Sequence, residues 1–262
     1  MQDNDENNSI NNSSAGGLRG IAGLVSFSTI LPLNIHTSIE EMARFTWFWP
    51  VIGGFIGILA GTFGFFLLNI VQIPQIIAAA LIYSFMIWFN GFHHLDGLMD
   101  FGDGMMVHGT PEKKISVMRD TRIGTGGMAY FVMVALVTFA GLTSAPAALI
   151  LPVIIVAEVA AKMGIVTCAS FSEAFPDGTG RFFIESMNKK LLLLSLVLSS
   201  AIGFLALNIT GVIGVIGGAI VGFLIATVAR RNFKWATGDI LGTSNEIGRM
   251  LSLILMAWIL LV

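Results

Sequence analysis

Apolar residues run through this chain in long blocks separated by short polar connections, the pattern of helices that cross a bilayer rather than of half-buried helices in water. Seven blocks read as spans, at about 45–69, 74–95, 126–144, 147–170, 190–208, 211–229 and 244–262. The last has an uninterrupted apolar part, Met250 to Val262, of only thirteen residues, which covers about two thirds of a ~30 Å hydrocarbon core. A helix starting at Ser244 would cross, with Asn245, Glu246 and Arg249 in its first turn at the membrane surface. Ahead of the spans, Leu18 to Leu33 is apolar but short and carries Pro32 near its end, so an interfacial or re-entrant segment is expected. Thr37 or Ser38, followed by Glu40 and Glu41, marks a helix start. Residues 1–17, rich in Asn and Ser, have too little apolar surface to order and read as a flexible polar tail. The expected fold is therefore an all-α polytopic membrane protein with about seven transmembrane helices and an N-terminal interfacial or re-entrant segment, all of 18–262 forming one integral membrane domain.

The connections sort into two kinds. Those near 70–74, 144–147 and 208–211 are short and uncharged, whereas those at 36–44, 93–125, 171–190 and 229–249 hold most of the ionisable groups. By the positive-inside rule this charged side faces the cytoplasm, giving a multi-pass protein of the cell membrane. Composition agrees: 55% of the residues are hydrophobic, 11% are charged and the mean hydropathy is +0.83. A net charge of −2 leaves no basic footprint for nucleic acid, which is excluded as an expected partner. The single cysteine, Cys168, lies in an apolar run and reads as a core residue. Glu158 and Lys162 stand four residues apart inside a span, where each must be paired or face a polar cavity; a salt bridge between them is expected.

The chemistry concentrates in three stretches. In H-H-L-D-G-L-M-D-F-G-D-G at 93–104, Asp96, Asp100 and Asp103 fall within a wedge of roughly 60° on a helix. Carboxylates so crowded repel one another unless they share a divalent cation, and the interleaved glycines let a phosphorylated ligand approach the backbone. His93 sits one turn before Asp96 and could orient a ligand, but the neighbourhood lacks the further His or Cys ligands of a zinc site. Next, Pro111 opens a short surface helix, and M-R-D-T-R-I-G at 118–124 places Arg119 and Arg122 around Asp120. Arginine forks bind phosphate oxygens while carboxylates hold Mg²⁺. Finally, T-G-D-I-L-G-T-S-N-E at 237–246 puts glycines, hydroxyls and carboxylates at a helix N-terminus, which favours anions or hydroxylated ligands. The loop at 171–190, with Glu173, Asp177, Arg181 and Glu185, reads equally well as plain surface.

These three blocks, in this order, resemble the signatures of the cobalamin-5'-phosphate synthase (adenosylcobinamide-GDP ribazoletransferase) family. Weaker likenesses are F-S-T-I-L-P at 27–32 and W-P-V-I-G-G-F-I-G at 49–57. Glu158, Lys162 and the polar tail depart from the family's pattern without touching the signatures. The resemblance implies an integral membrane catalytic domain that uses Mg²⁺ to join adenosylcobinamide-GDP to α-ribazole or its 5'-phosphate, releasing GMP. It implies Asp96, Asp100 and Asp103 as metal ligands. Asp103, and then Asp120, become candidates for the catalytic base, while His93, Arg119, Arg122, Gly124, Thr237, Asp239, Asn245 and Glu246 become candidates for substrate binding. The acceptor's phosphorylation state and a homodimer are left open.

Two other readings compete. A CDP-alcohol phosphotransferase would use similar metal chemistry, but its D-x₂-D-G-x₂-A-R pattern is not met, since Gly97 follows Asp96 directly and no Ala-Arg follows. A cation transporter would need polar groups at midplane, for which only Glu158 and Lys162 stand as candidates.

Overall fold

The computed structural model describes residues 17–261; the expected tail at 1–17 lies outside the described residues except for Gly17, which is already helical. The first helix, α1 (17–28), extends about 18 Å and is too short to cross a bilayer. A short helix follows, α2 (Ile39–Ala43), started by Ser38 through a reciprocal cap in which its hydroxyl accepts from the Glu41 amide and the Glu41 carboxylate accepts from the Ser38 amide. Then come α3 (Trp49–Phe65), α4 (Gln75–Phe89), α5 (His93–Met106), α6 (Pro111–Met118), α7 (Thr125–Ser144), α8 (Ile150–Ser170), α9 (Gly180–Glu185), α10 (Lys189–Asn232) and α11 (Gly238–Leu261). The described residues contain no strand, only one isolated bridge between Ala174 and Ala236.

Five helical segments are long and apolar enough to cross a membrane, or six if the α4–α5 pair counts as one bent span, so the protein is a multi-pass membrane protein. At two places the helices depart from the plain form of the expected spans. The spans at 190–208 and 211–229 are the two halves of α10, which breaks at Leu207 and Asn208, where Asn208 takes a left-handed φ of 50°. There the backbones of Gly203 and Gly211 meet, which residues eight apart on a straight helix could not do, so the chain doubles back. The span at 74–95 stops at Phe89 because Gly91 and Phe92 both adopt positive φ, and α5 leaves at 91° to α4. A third difference concerns α11, which begins at Gly238 rather than Ser244 and so takes all of the 237–246 motif but Thr237 into its first turns.

At the centre lies α8, buried at every position from Val156 to Ala169 and packed against α3, α10 and α11. Its approach to α3 depends on missing side chains. A methyl group on Gly57 would stand 2.6 Å from the Ile155 Cα, and one on Gly61 would stand 2.8 Å from the Leu151 carbonyl. Such backbone-to-backbone packing suits helices in lipid, where apolar burial alone gives no drive to associate.

This close packing seals four charges inside the bundle. Glu158 and Lys162 do not pair with each other, contrary to the sequence expectation. Instead Arg249 of α11 donates to Glu158 at 2.5 Å and to Glu246, and all three side chains are essentially inaccessible. Lys162 donates to Asn90 (2.7 Å), His94 Nε2 (2.9 Å) and Asn245 (3.0 Å), which uses all three of its hydrogens. Asn245 in turn donates to Glu246 at 2.9 Å and links the two halves. The expected placement of Asn245, Glu246 and Arg249 at the membrane surface is thus corrected: once α11 starts six residues earlier, this turn falls against α8.

Removing one member should leave an uncompensated charge in the interior. Arg249→Met is expected to cost about 3–5 kcal/mol and to remove most folded protein in detergent, whereas combining it with Glu158→Gln and Glu246→Gln should restore much of it. Equal thermal midpoints for Arg249→Met and the wild type would refute this role.

Candidate active site

The first turns of α11 cross the first half of α5 at a point where both are nearly bare backbone. A methyl group on Gly97 would lie 2.8 Å from the Asp239 backbone, and one on Gly242 would lie 3.1 Å from the His94 Cα. The Thr243 hydroxyl closes the crossing by donating to the Gly97 carbonyl at 3.1 Å. Asp96, Asp100 and Asp239 consequently share one cavity of about 650 Å³, near enough that Asp100 feels the charges of the other two.

Three loops complete that cavity. The connection after α6 brings Arg119 to Ile123, the loop leading into α9 brings Phe175 and Asp177 to Thr179 with Gly180 and Arg181 of the helix start, and the loop leading into α11 brings Ala236 and Thr237 with Gly238 and Asp239 of its first turn. The second and third are tied by paired amides, Phe175 to Ala236 at 2.9 Å and Ala236 to Glu173 at 2.8 Å. Arg119 binds the Asp177 carboxylate (3.0 Å) and carbonyl (2.9 Å) and lies 4.9 Å over the Phe175 ring. Arg122 grips Asp120 with two nitrogens and its own amide, which holds the Asp120 carboxyl below the usual carboxylate range. Arg181 pairs with Glu185 at 2.8 Å. The loop at 171–190, equally readable as plain surface, therefore forms one wall of the cavity.

A second, smaller chamber of about 250 Å³ adjoins the first and shares Asp96, Thr179, Gly180, Gly238 and Asp239 with it. Its far walls are Phe27, Trp49, Phe183, His93 and His94. Of the residues singled out in the sequence, His93 lines the smaller chamber and Thr237, Asp239, Arg119, Arg122 and Asp120 line the larger. Sequence reasoning missed the aromatic walls, although Phe27 and Trp49 open the two weaker family likenesses.

Other expected residues are placed elsewhere. Asp103 turns from the main cavity to the N-terminus of α7, where its oxygens accept from the Gly124 amide at 2.7 Å and the Gly127 amide at 2.9 Å. Gly126 and Gly127 let the carboxylate approach this closely, since a Cβ on Gly126 would stand 3.1 Å and one on Gly127 2.8 Å from its oxygens. The signal was the G-T-G-G run before an apolar block. Asn245 and Glu246 face the buried charge network rather than the cavity.

The expected metal trio is therefore divided. Among the described residues no three His, Cys, Asp or Glu side chains come together to hold an ion. The remaining donors still fit Mg²⁺, which is commonly bound by one or two carboxylates, water and substrate phosphates rather than by a complete protein cage. Asp96 and Asp100 would supply that partial site.

Fold and site together define a multi-pass membrane protein whose polar work is gathered where loops and helix ends meet. The chain belongs to the cobalamin-5-phosphate synthase family, matching it over residues 20–257. It is 33% identical to the adenosylcobinamide-GDP ribazoletransferase of Methanosarcina barkeri, covering 89% of this chain and 90% of that protein. The enzyme of the same name from Methanococcoides burtonii is 31% identical over 92% and 93% of the two chains, and that of Clostridium acetobutylicum 29% identical over 86% and 90%. No solved structure matches the chain. The family favours neither competing reading, CDP-alcohol transfer or cation transport.

The division of labour along α5 should be visible in stability. Asp103→Ala is expected to lower stability by about 1 kcal/mol through the lost cap, while Asp100→Ala, which relieves like-charge crowding, should leave the thermal midpoint in detergent unchanged or higher. An Asp103→Ala protein as stable as the wild type would contradict the capping role.

Proposed function

We propose that this protein is an Mg²⁺-dependent adenosylcobinamide-GDP ribazoletransferase of the cell membrane, with its charged loops and active site facing the cytoplasm. It moves the adenosylcobinamide-phosphate group from adenosylcobinamide-GDP onto α-ribazole or its 5'-phosphate and releases GMP. The observation that carries this reading is the convergence of Asp96, Asp100 and Asp239 with Arg119, Arg122 and Arg181 on one cavity. A displacement at phosphorus needs that combination of anions and cations.

The rim arginines take the non-bridging oxygens of the pyrophosphate. Each is now paired with a carboxylate at an exposed position. Such surface pairs are worth only about 0–1 kcal/mol, so a doubly charged phosphate displaces them at little cost. Asp96 and Asp100 would hold Mg²⁺, which when bound neutralises charge on the pyrophosphate and the departing GMP. The acceptor hydroxyl forms the new bond to the corrinoid-linked phosphorus, the bond from that phosphorus to GMP breaks, and the hydroxyl proton passes to a carboxylate.

Asp239 is the proposed base in place of Asp103 and Asp120. Both Asp103 oxygens already accept amide hydrogens, and the Arg122 contact makes Asp120 a weak base. Asp239 instead stands where the two chambers meet, held by a 3.0 Å hydrogen bond from Thr237.

Asp100→Asn should reduce GMP release by roughly 100-fold or more while the protein still inserts and purifies normally, and EDTA should abolish release until Mg²⁺ is returned. Full activity in the variant, or in EDTA, would overturn the metal assignment.

A further inference from the structure

The smaller chamber differs from its neighbour in every property that selects a ligand. No lysine or arginine lines it, so it lacks the cations that face the larger cavity. Its walls are aromatic and held in place. Trp49 and Phe183 are each 2% exposed, with ring centroids 4.8 Å apart, and Phe27 follows 5.1 Å beyond Phe183. The indole hydrogen of Trp49 is committed to the Ser28 hydroxyl at 2.7 Å, so it offers the cavity no donor, and Phe27, 38% exposed, presents the most open ring of the three. His93 lies near-parallel to Phe27, at 9°. The two carboxylates, Asp96 and Asp239, stand only at the end shared with the larger cavity.

Size narrows the choice further. At about 30 Å³ of liquid per water molecule, a volume of 250 Å³ accommodates on the order of ten heavy atoms, one fused bicyclic ring. A corrin macrocycle and a whole nucleoside diphosphate are each several times larger.

We infer that this chamber binds the flat heteroaromatic base of the acceptor nucleoside against the aromatic wall built by Phe27, Phe183 and Trp49, with its ribose directed to the shared end. The assignment rests on the reaction proposed above and adds to it a direction of approach. The acceptor hydroxyl then reaches Asp239 from the aromatic side, while the pyrophosphate occupies the arginine side and the corrin ring stays outside both chambers.

Two measurements on the full-length protein in detergent or nanodiscs test this. In steady-state GMP release, Phe27→Leu and Phe183→Leu should each raise KM for α-ribazole roughly 5- to 150-fold, the range expected when a base loses a stacking partner. KM for adenosylcobinamide-GDP should change less than about twofold, and Phe204→Leu, at a 53% exposed position remote from the chamber, should alter neither. Independently of turnover, benzimidazole should quench tryptophan fluorescence, and Trp49→Phe should remove that quench although the other four tryptophans remain.

Unchanged acceptor KM in both phenylalanine variants would overturn the inference. So would a quench produced by guanosine but not benzimidazole, or one abolished by added phospholipid, which would make the chamber a guanine or acyl-chain site. If the wild type releases no GMP, the proposed reaction fails on its own, and the benzimidazole quench still decides whether the chamber takes a bicyclic base.

Discussion

The cluster of Glu158, Lys162, Glu246 and Arg249 is the constraint on which the site's geometry depends. Two positive and two negative side chains, all within 2% of complete burial, are tolerable in a low-dielectric interior only when held in contact with one another or with amides. The demand is directional. Lys162 must find three acceptors, and they come from the end of α4 (Asn90), the start of α5 (His94) and the second turn of α11 (Asn245). Satisfying one ammonium therefore fixes the elbow at Gly91 and Phe92, and with it the direction in which α5 carries Asp96 and Asp100.

Glycine governs the next level. Because Gly97 and Gly242 let α5 and α11 touch at the backbone, carboxylates far apart in sequence reach one cavity from two sides. Gly180 does the same for the loop before α9, packing on the backbone at Thr237 and Gly238. A bilayer protein with few charges can thus concentrate them: packing holds Asp96, Asp100 and Asp239 together against their mutual repulsion.

Much of this was legible in the sequence. The alternation of apolar blocks and charged connections gave the membrane class, Ser38 gave a cap, and the three signature blocks gave most of the cavity wall. What escaped detection was set by tertiary direction. A 60° wedge on a helix is the same for three aspartates, yet Asp103 meets the amides of Gly124 and Gly127 while Asp96 and Asp100 meet open space. Periodicity also cannot tell a polar turn at the membrane surface from one sealed against α8, which is why Asn245, Glu246 and Arg249 were misplaced. The aromatic chamber draws Phe27, Trp49 and Phe183 from three distant segments, each of which alone reads as ordinary core.

The floor and the rim of the site are built from the same interactions in opposite environments. Beneath the chambers, ion pairs are dry and interlocked, and His94, which lines the aromatic chamber, accepts a hydrogen bond from Lys162 at 2.9 Å. Around the opening, Arg119–Asp177 and Arg122–Asp120 on loops and Arg181–Glu185 on the short α9 are wet pairs. Water and salt weaken the rim pairs but not the floor. A charged ligand therefore rearranges the rim and leaves the carboxylate-bearing helices where they are. Rigid carboxylates with exchangeable arginines suit phosphoryl transfer, in which the reacting atoms must stay aligned while charge moves from a pyrophosphate to a departing nucleotide.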